Sequence, residues 1–354
     1  MSKFFSPKYA SLVPYTPGEQ PRDMQYIKLN TNESPYPPSK KAQDLAADAA
    51  KRLQLYPDPE CTALVDELAS LYSVKPSQIL LTNGSDEILN FAFMAFCDKD
   101  TPALFADITY GFYKVFAQIN CLPYVEAPLN DDFTINKTDY LGAGKTIFIA
   151  NPNAPTGIAL TLDEIEEIVK SNPDNVVVVD EAYVDFGAQS AVALVNKYDN
   201  LLVTQTFSKS RSMAGARLGF GIGCEALIND LKTVKYSTNP YNINSMTMAA
   251  GLGCIRDEQY TRKNCSEIIE TREYTAEKLK GLGFEMTQSM TNFLFCKHPD
   301  IEGEELYKKL KEAGVLVRHF NTEKLCQFNR ITIGTKEQMD TLIKKIETIL
   351  EDKK

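Results

Sequence analysis

Short apolar runs alternate with stretches whose apolar positions recur every three or four residues, and the alternation continues through most of the chain. The helical period predicts helices over 39–53, 62–72, 87–96 and 161–170, the last opened by a Thr161/Glu164 capping box. Between them, 79–82, 103–105, 146–150, 176–179, 201–204 and 218–222 are near-continuous hydrophobic runs, the pattern of parallel strands covered on both faces. This reads as an α/β protein with one mostly parallel central sheet and helices above and below it. A longer helical stretch, 245–279, is followed by strand-like 292–296, a helix over 304–313, strand-like 315–318 and 330–333, and a terminal helix from Lys336. That second set predicts a smaller C-terminal α+β domain. Prolines at 7, 14, 17, 21 and 35 predict an extended N-terminal arm, which must lie on another surface, such as a partner subunit's. The expected division is an arm over 1–38, a large domain over 39–244 and a small domain over 245–354.

A length of 354 residues suits about two domains and a sizeable core. With 38 basic against 47 acidic side chains the net charge is −9, which argues against a nucleic acid or an anionic membrane as partner. A small anionic substrate needs only a few placed cations. The eight cysteines form no Cys-x-x-Cys pair and only two histidines could join them, so no metal site is expected. The opening Met-Ser-Lys-Phe-Phe-Ser-Pro breaks before an apolar leader core could form, and no apolar run reaches 18 residues. The expectation is a soluble, cytoplasmic protein with reduced thiols.

Two glycine motifs fail on spacing. Gly142-Ala-Gly-Lys-Thr146 would need glycine at 139 for a phosphate-binding loop and has Asp139, while Gly219-Phe-Gly-Ile-Gly223 has Cys224 where a dinucleotide fingerprint needs glycine. The second reads as a glycine-rich packed strand. Three other segments fit one another. Asp180-Glu-Ala-Tyr183 follows the run 176–179, where α/β sheets place ligands, and a buried acid there needs a cationic partner. Thr206-Phe-Ser-Lys209 follows 201–204, with Arg217 eight residues beyond Lys209. Asn151-Pro-Asn-Ala-Pro-Thr-Gly157 follows 146–150 as a turn-rich loop. Each alone has an ordinary explanation as a cap, a solvated loop or a turn; all three, in this order and at strand ends, point to one site.

These residues resemble those of the fold type I pyridoxal 5′-phosphate (PLP) aminotransferases, and within them most closely the histidinol-phosphate aminotransferases. The resemblance runs from about 13 to 350. It includes Val13-Pro-Tyr15, Leu29-Asn-Thr-Asn-Glu33-Ser-Pro, Leu55-Tyr-Pro-Asp58, Asn83-Gly-Ser-Asp-Glu87, Thr109-Tyr-Gly-Phe-Tyr113, Val317-Arg318 and Arg330-Ile-Thr-Ile-Gly334-Thr. It implies a three-layer PLP-transferase fold in which Lys209 bonds to the cofactor and moves the proton as general acid and base. Asp180 is implied to pair with the pyridine nitrogen, Tyr183 and the 151–157 loop to contact the phenolic oxygen, and Tyr110 to stack on the ring. Gly84, Ser85 and Asp86 amides, the Thr206 and Ser208 hydroxyls and Arg217 are implied phosphate ligands. Tyr56 is implied to reach the neighbouring subunit's cofactor, hence a homodimer with shared sites. One position departs from the family: the asparagine expected immediately before Pro-Thr-Gly is Ala154, leaving Asn153 or a water as the donor. For the substrate, Arg330 and Arg318 are implied to hold anionic ends, with Tyr15, Asn32 and Tyr241 lining the rest. The implied reaction is amino transfer between histidinol phosphate and 2-oxoglutarate in histidine biosynthesis. A threonine-phosphate decarboxylase and an aromatic amino acid aminotransferase share the cofactor residues; a noncatalytic PLP-fold regulator would normally carry a fused DNA-binding segment, for which this chain has no room.

Overall fold

The computed structural model describes residues 2–10 and 12–353. After β1 (Ile27–Lys28), seven strands build the central sheet: β2 (Ile79–Thr82), β3 (Ala103–Ala106), β4 (Tyr124–Ala127), β5 (Thr146–Ala150), β6 (Val177–Asp180), β7 (Leu201–Thr206) and β8 (Gly219–Gly223). Their spatial order is β2-β8-β7-β6-β5-β3-β4. All pairs are parallel except those of β8, which runs against both neighbours. Residues alternate faces along a strand. Ile147, Ile149, Val177, Val179, Leu201 and Val203 accordingly share one core, and Phe148, Val178 and Leu202 another.

The first face is covered by α1 (Lys40–Ala49), α2 (Thr62–Tyr72), α5 (Leu162–Ser171) and α7 (Ser245–Ile255), the second by α3 (Ser85–Phe96), α4 (Phe112–Ile119) and α6 (Glu225–Thr238). The Thr161/Glu164 capping box opens α5 as the sequence predicts. The glycine-rich β8 lets α3 approach closely: a Cβ on Gly219 would stand 2.3 Å from the Ser85 nitrogen.

The second unit holds α8 (Glu258–Gly281), α9 (Gly303–Glu312) and α10 (Lys336–Glu351) against an antiparallel sheet. That sheet has the order β12 (Arg318–His319), β13 (Asn329–Thr332), β10 (Phe293–Lys297), β9 (Glu285–Met286). The arm joins this unit. β1 pairs in parallel with β11 (Val315–Leu316), and Leu29 is buried in the core with Ile331 and Met339. The long helical stretch expected from 245 breaks at Arg256 and Asp257. Cys254 and Ile255 of α7 are buried in the core of the large sheet, so α7 packs there and not with the small unit to which a boundary at 244 assigned it. Helices α4 and α6 and the edge strand β4 had no counterpart in the sequence reading.

Candidate active site

The carboxyl ends of β2, β3, β5, β6 and β7, and the start of the reversed β8, surround a cavity of about 250 Å³. Ser85, Asp86, Tyr110, Asp180, Tyr183, Thr206, Ser208, Lys209 and Arg217 all reach it, so the sheet brings together most of the residues singled out by sequence.

At one end lies an anion cup. Gly84 caps α3 with φ +76°, a conformation that favours glycine, and a Cβ there would stand 2.7 Å from Arg217 Nη2 and displace that guanidinium. The first amides of α3 are left without intrahelical acceptors, and the helix dipole favours an anion beside them. Arg217 Nη2 donates to Asp86 Oδ2 at 2.7 Å, and the Tyr110 hydroxyl to Asp86 Oδ1 at 2.5 Å. The Ser208 amide donates to Thr206 Oγ1 at 3.1 Å, folding the lysine-bearing loop over the cup.

At the other end stands Asp180, on the same strand face as Val178. Its carboxylate accepts from the Tyr113 hydroxyl at 2.9 Å and, at 3.5 Å, from the Thr204 hydroxyl, its register partner on β7. Burial lifts its pKa from 3.8 to about 6; nearby Asp86 adds to the rise, while Tyr113, the Ala182 amide and Thr204 oppose it. Among the described residues no cation forms an ion pair with this acid, whose hydrogen-bond partners are the Tyr113 and Thr204 hydroxyls.

Lys209 Nζ donates to the Thr31 carbonyl at 3.2 Å and lies 5.7 Å from the centre of the Tyr183 ring. The Tyr183 hydroxyl accepts from Asn32 Nδ2 at 2.8 Å. Glu33, bound to Lys28 at 2.6 Å, completes the wall beside Lys209. Ala150, Pro152 and Ala154 form the wall opposite, and Asn153 is turned behind it. Its Nδ2 donates to the Ile108 carbonyl and to Thr156, both at 3.0 Å, and its Oδ1 accepts from Thr109 at 2.7 Å. The Asn153 amide is therefore committed to the loop, and the position that faces the cavity is Ala154.

Arg318 and Arg330 are register partners on β12 and β13. Both guanidinium carbons lie 5.8 Å from the Phe320 ring centre. Their hydrogen bonds go to backbone carbonyls: Arg330 to Asn30 at 3.2 Å, Arg318 to Thr16 and Pro17 at 3.4 and 3.5 Å. Arg330 Nε is buried with no partner. Tyr15 packs against Phe112 with tilted rings 4.4 Å apart and is not among the residues that line the cavity. Tyr56 and Tyr241 are not brought to this cavity. They stack on each other at 4.7 Å on the outer surface, where Tyr56 is 82% exposed.

Sequence reasoning passed over Tyr113 and Thr204. Tyr113 stands three residues after Tyr110, at the start of α4, and Thr204 directly opposite Asp180, so proximity in the chain and register were the available signals.

The donor set suits PLP: an amide, hydroxyl and guanidinium cup for its phosphate, a buried acid held by hydroxyls and in no ion pair for its ring nitrogen, a tyrosine face and hydroxyl for its ring, and a lysine for its aldehyde. The chain belongs to the class I and II aminotransferases, whose family model matches residues 24–346. Two relatives, histidinol-phosphate aminotransferases of Brachyspira hyodysenteriae and a Marinomonas species, are 52% and 49% identical to it; the alignments cover 99% of this chain and all of each relative. Among solved structures, histidinol-phosphate aminotransferase from Sinorhizobium meliloti in complex with PLP has the same fold. Its TM-score is 0.88 over 99% of both chains, at 20% identity.

Proposed function

We propose that this chain transfers the amino group of L-histidinol phosphate to 2-oxoglutarate, giving imidazole acetol phosphate and glutamate, with PLP as cofactor. The observation that carries the substrate reading is the Arg318 and Arg330 pair. Two adjacent guanidiniums, with backbone carbonyls as their only hydrogen-bond partners among the described residues, suit a phosphate in one half-reaction and a carboxylate in the other. The relatives at about half identity over the whole chain support the same substrate.

PLP supplies an electron sink for the charge that develops at the substrate Cα. Lys209 would hold the cofactor through its amine and, when free, would serve as the general acid and base beside the substrate Cα. Asp180 keeps the ring nitrogen protonated, and Tyr113 and Thr204 orient that carboxylate. Tyr183, held by Asn32, presents its hydroxyl to the ring oxygen; no side-chain amide is available at Ala154, and Asn153 is turned away. Gly84, Ser85, Asp86, Thr206, Ser208 and Arg217 would hold the phosphate, Tyr110 would support the ring, and Tyr15 would bound the substrate. The same reading makes the protein a homodimer. Leu53, Leu55, Tyr56 and Tyr241 are exposed, with Tyr56 and Tyr241 stacked on each other, and Tyr56 would complete the partner's phosphate cup. The arm, a large unit and a small unit divide the chain, with the second boundary at the Asp257 turn. A cytoplasmic site of action agrees with eight unpaired cysteines and with the lack, among the described residues, of a helix long and apolar enough to cross a membrane.

The test is to supply histidinol phosphate with 2-oxoglutarate and measure glutamate, beside carbon dioxide release from threonine phosphate and transfer from aromatic amino acids. Glutamate formed fastest from histidinol phosphate is expected. Carbon dioxide release without glutamate would replace the transferase by the lyase.

A further inference from the structure

The three residues that follow Lys209 are each fastened to a different part of the molecule. The Ser210 hydroxyl bonds Asp185, in the turn after β6 that also carries Tyr183. Arg211 reaches Glu258, the first residue of α8 and so of the second unit. The Ser212 hydroxyl bonds Ser34 of the arm at 2.9 Å, two residues from Asn32. Ser212 itself has φ +57°, a left-handed turn that a loop without anchors would not hold.

Arg211 is the unusual member. Its guanidinium is fully buried, lies 5.5 Å from the Phe207 ring at the start of the loop, and touches no part of the 250 Å³ cavity. Its Nη1 and Glu258 Oε2 stand 3.6 Å apart, both buried and neither hydrogen-bonded. Burial opposes the charge, but Tyr72, Asp185 and Glu258 around it more than compensate, so Arg211 stays cationic. A buried cation two residues from Lys209 faces the Glu258 carboxylate of the second unit, while Ser210 beside it is bonded to Asp185. Displacing the loop would leave the buried Arg211 and Glu258 charges uncompensated.

We propose that Arg211 is a positioning residue for Lys209, acting through Glu258 to hold the 207–213 loop where the lysine amine would meet the cofactor aldehyde. The proposal rests on Lys209 as the attachment residue. A purely structural arginine would change stability and cofactor binding together, whereas a positioning arginine affects bond formation at Lys209 and spares the phosphate cup.

The experiment uses the full-length protein freed of cofactor, as wild type, Arg211→Met, Arg211→Lys and Glu258→Gln. Affinity for pyridoxine 5′-phosphate, which has no aldehyde, reads the cup and Asp180 alone. The rate at which added PLP becomes fixed to Lys209, stopped with borohydride and read by peptide mass, reads the lysine. Arg211→Met is expected to keep pyridoxine 5′-phosphate affinity within about twofold and to slow attachment roughly 10- to 100-fold, the usual consequence of a small misplacement. Arg211→Lys should recover part of the rate, since it restores charge without the planar fork, and Glu258→Gln should slow attachment less than Arg211→Met. Should Arg211→Met not fold, the other two variants carry the same comparison. Unchanged attachment in the variants that fold, or attachment and pyridoxine 5′-phosphate affinity falling by the same factor, would overturn the proposal. A label on another lysine in the wild type would instead remove Lys209 as the attachment residue, and this proposal with it.

Discussion

Replacing Asp180 by asparagine should make the cofactor-free protein more stable, an unusual result for a residue to which we assign a part in the chemistry. The folded carboxyl has its pKa raised from 3.8 to about 6 by burial. The native state therefore holds this proton more tightly than the unfolded chain does. The group is neutral in its effect below about pH 4, turns destabilising as pH rises toward 6, and stays so above it. A rise of this size is worth about 3 kcal/mol at pH 8 and about half of that at pH 5. Asparagine keeps an acceptor for Tyr113 and carries no charge. Urea denaturation of cofactor-free wild type and Asp180→Asn should thus give the variant an advantage of about 3 kcal/mol at pH 8, narrowing to about 1.5 kcal/mol at pH 5. Other titrating groups, including Glu181, which burial lifts to about 7, contribute equally to both proteins and drop out of the difference. With saturating PLP the advantage should shrink or invert, because the wild-type carboxylate then has the ring N–H as partner, and the loaded variant should lose most of its rate. Equal stability at pH 8, or an advantage that does not narrow toward pH 5, would refute the reasoning.

Arg330→Ala should impair both half-reactions, whereas Arg318→Ala should impair histidinol phosphate more than glutamate. Each lost charge-assisted hydrogen bond costs about 1.5–3 kcal/mol, roughly 10- to 150-fold, readable by single-turnover kinetics of each half-reaction. Gly219→Ala would place a Cβ 2.3 Å from the Ser85 nitrogen, push the start of α3 off the sheet and weaken PLP binding at least about tenfold in an equilibrium titration. Sedimentation at assay concentrations should find a dimer, and Tyr56→Ala should lower PLP affinity while the dimer persists. A fully active monomer would contradict shared sites.

Strands buried on both faces leave continuous apolar runs, which is why β2, β5, β6 and β7 could be read from the sequence within a residue or two. Edge strand β4 exposes Val125 and Glu126 and leaves no such run. In α6 the buried positions include Lys235, whose ammonium donates to the Pro59 carbonyl at 2.7 Å, so a polar residue interrupts the apolar face. Asp180, Lys209 and Arg217, picked out by sequence as residue types at strand ends, do line one cavity. The site was not legible where a side chain could turn two ways. Asn153 has the right chemistry for the ring oxygen, yet its amide is held by Ile108, Thr109 and Thr156, contacts that only the folded loop reveals.

The most direct test of the whole account is to reduce the cofactor-loaded protein with borohydride and locate the pyridoxyl group by peptide mass, before and after exposure to histidinol phosphate. The group should be found on Lys209 alone, and exposure to histidinol phosphate without an oxo acid should release it from the lysine before reduction. A label on any other lysine, or a Lys209 label that histidinol phosphate leaves untouched, would contradict the assignment of this cavity as an amino-transfer site for that substrate.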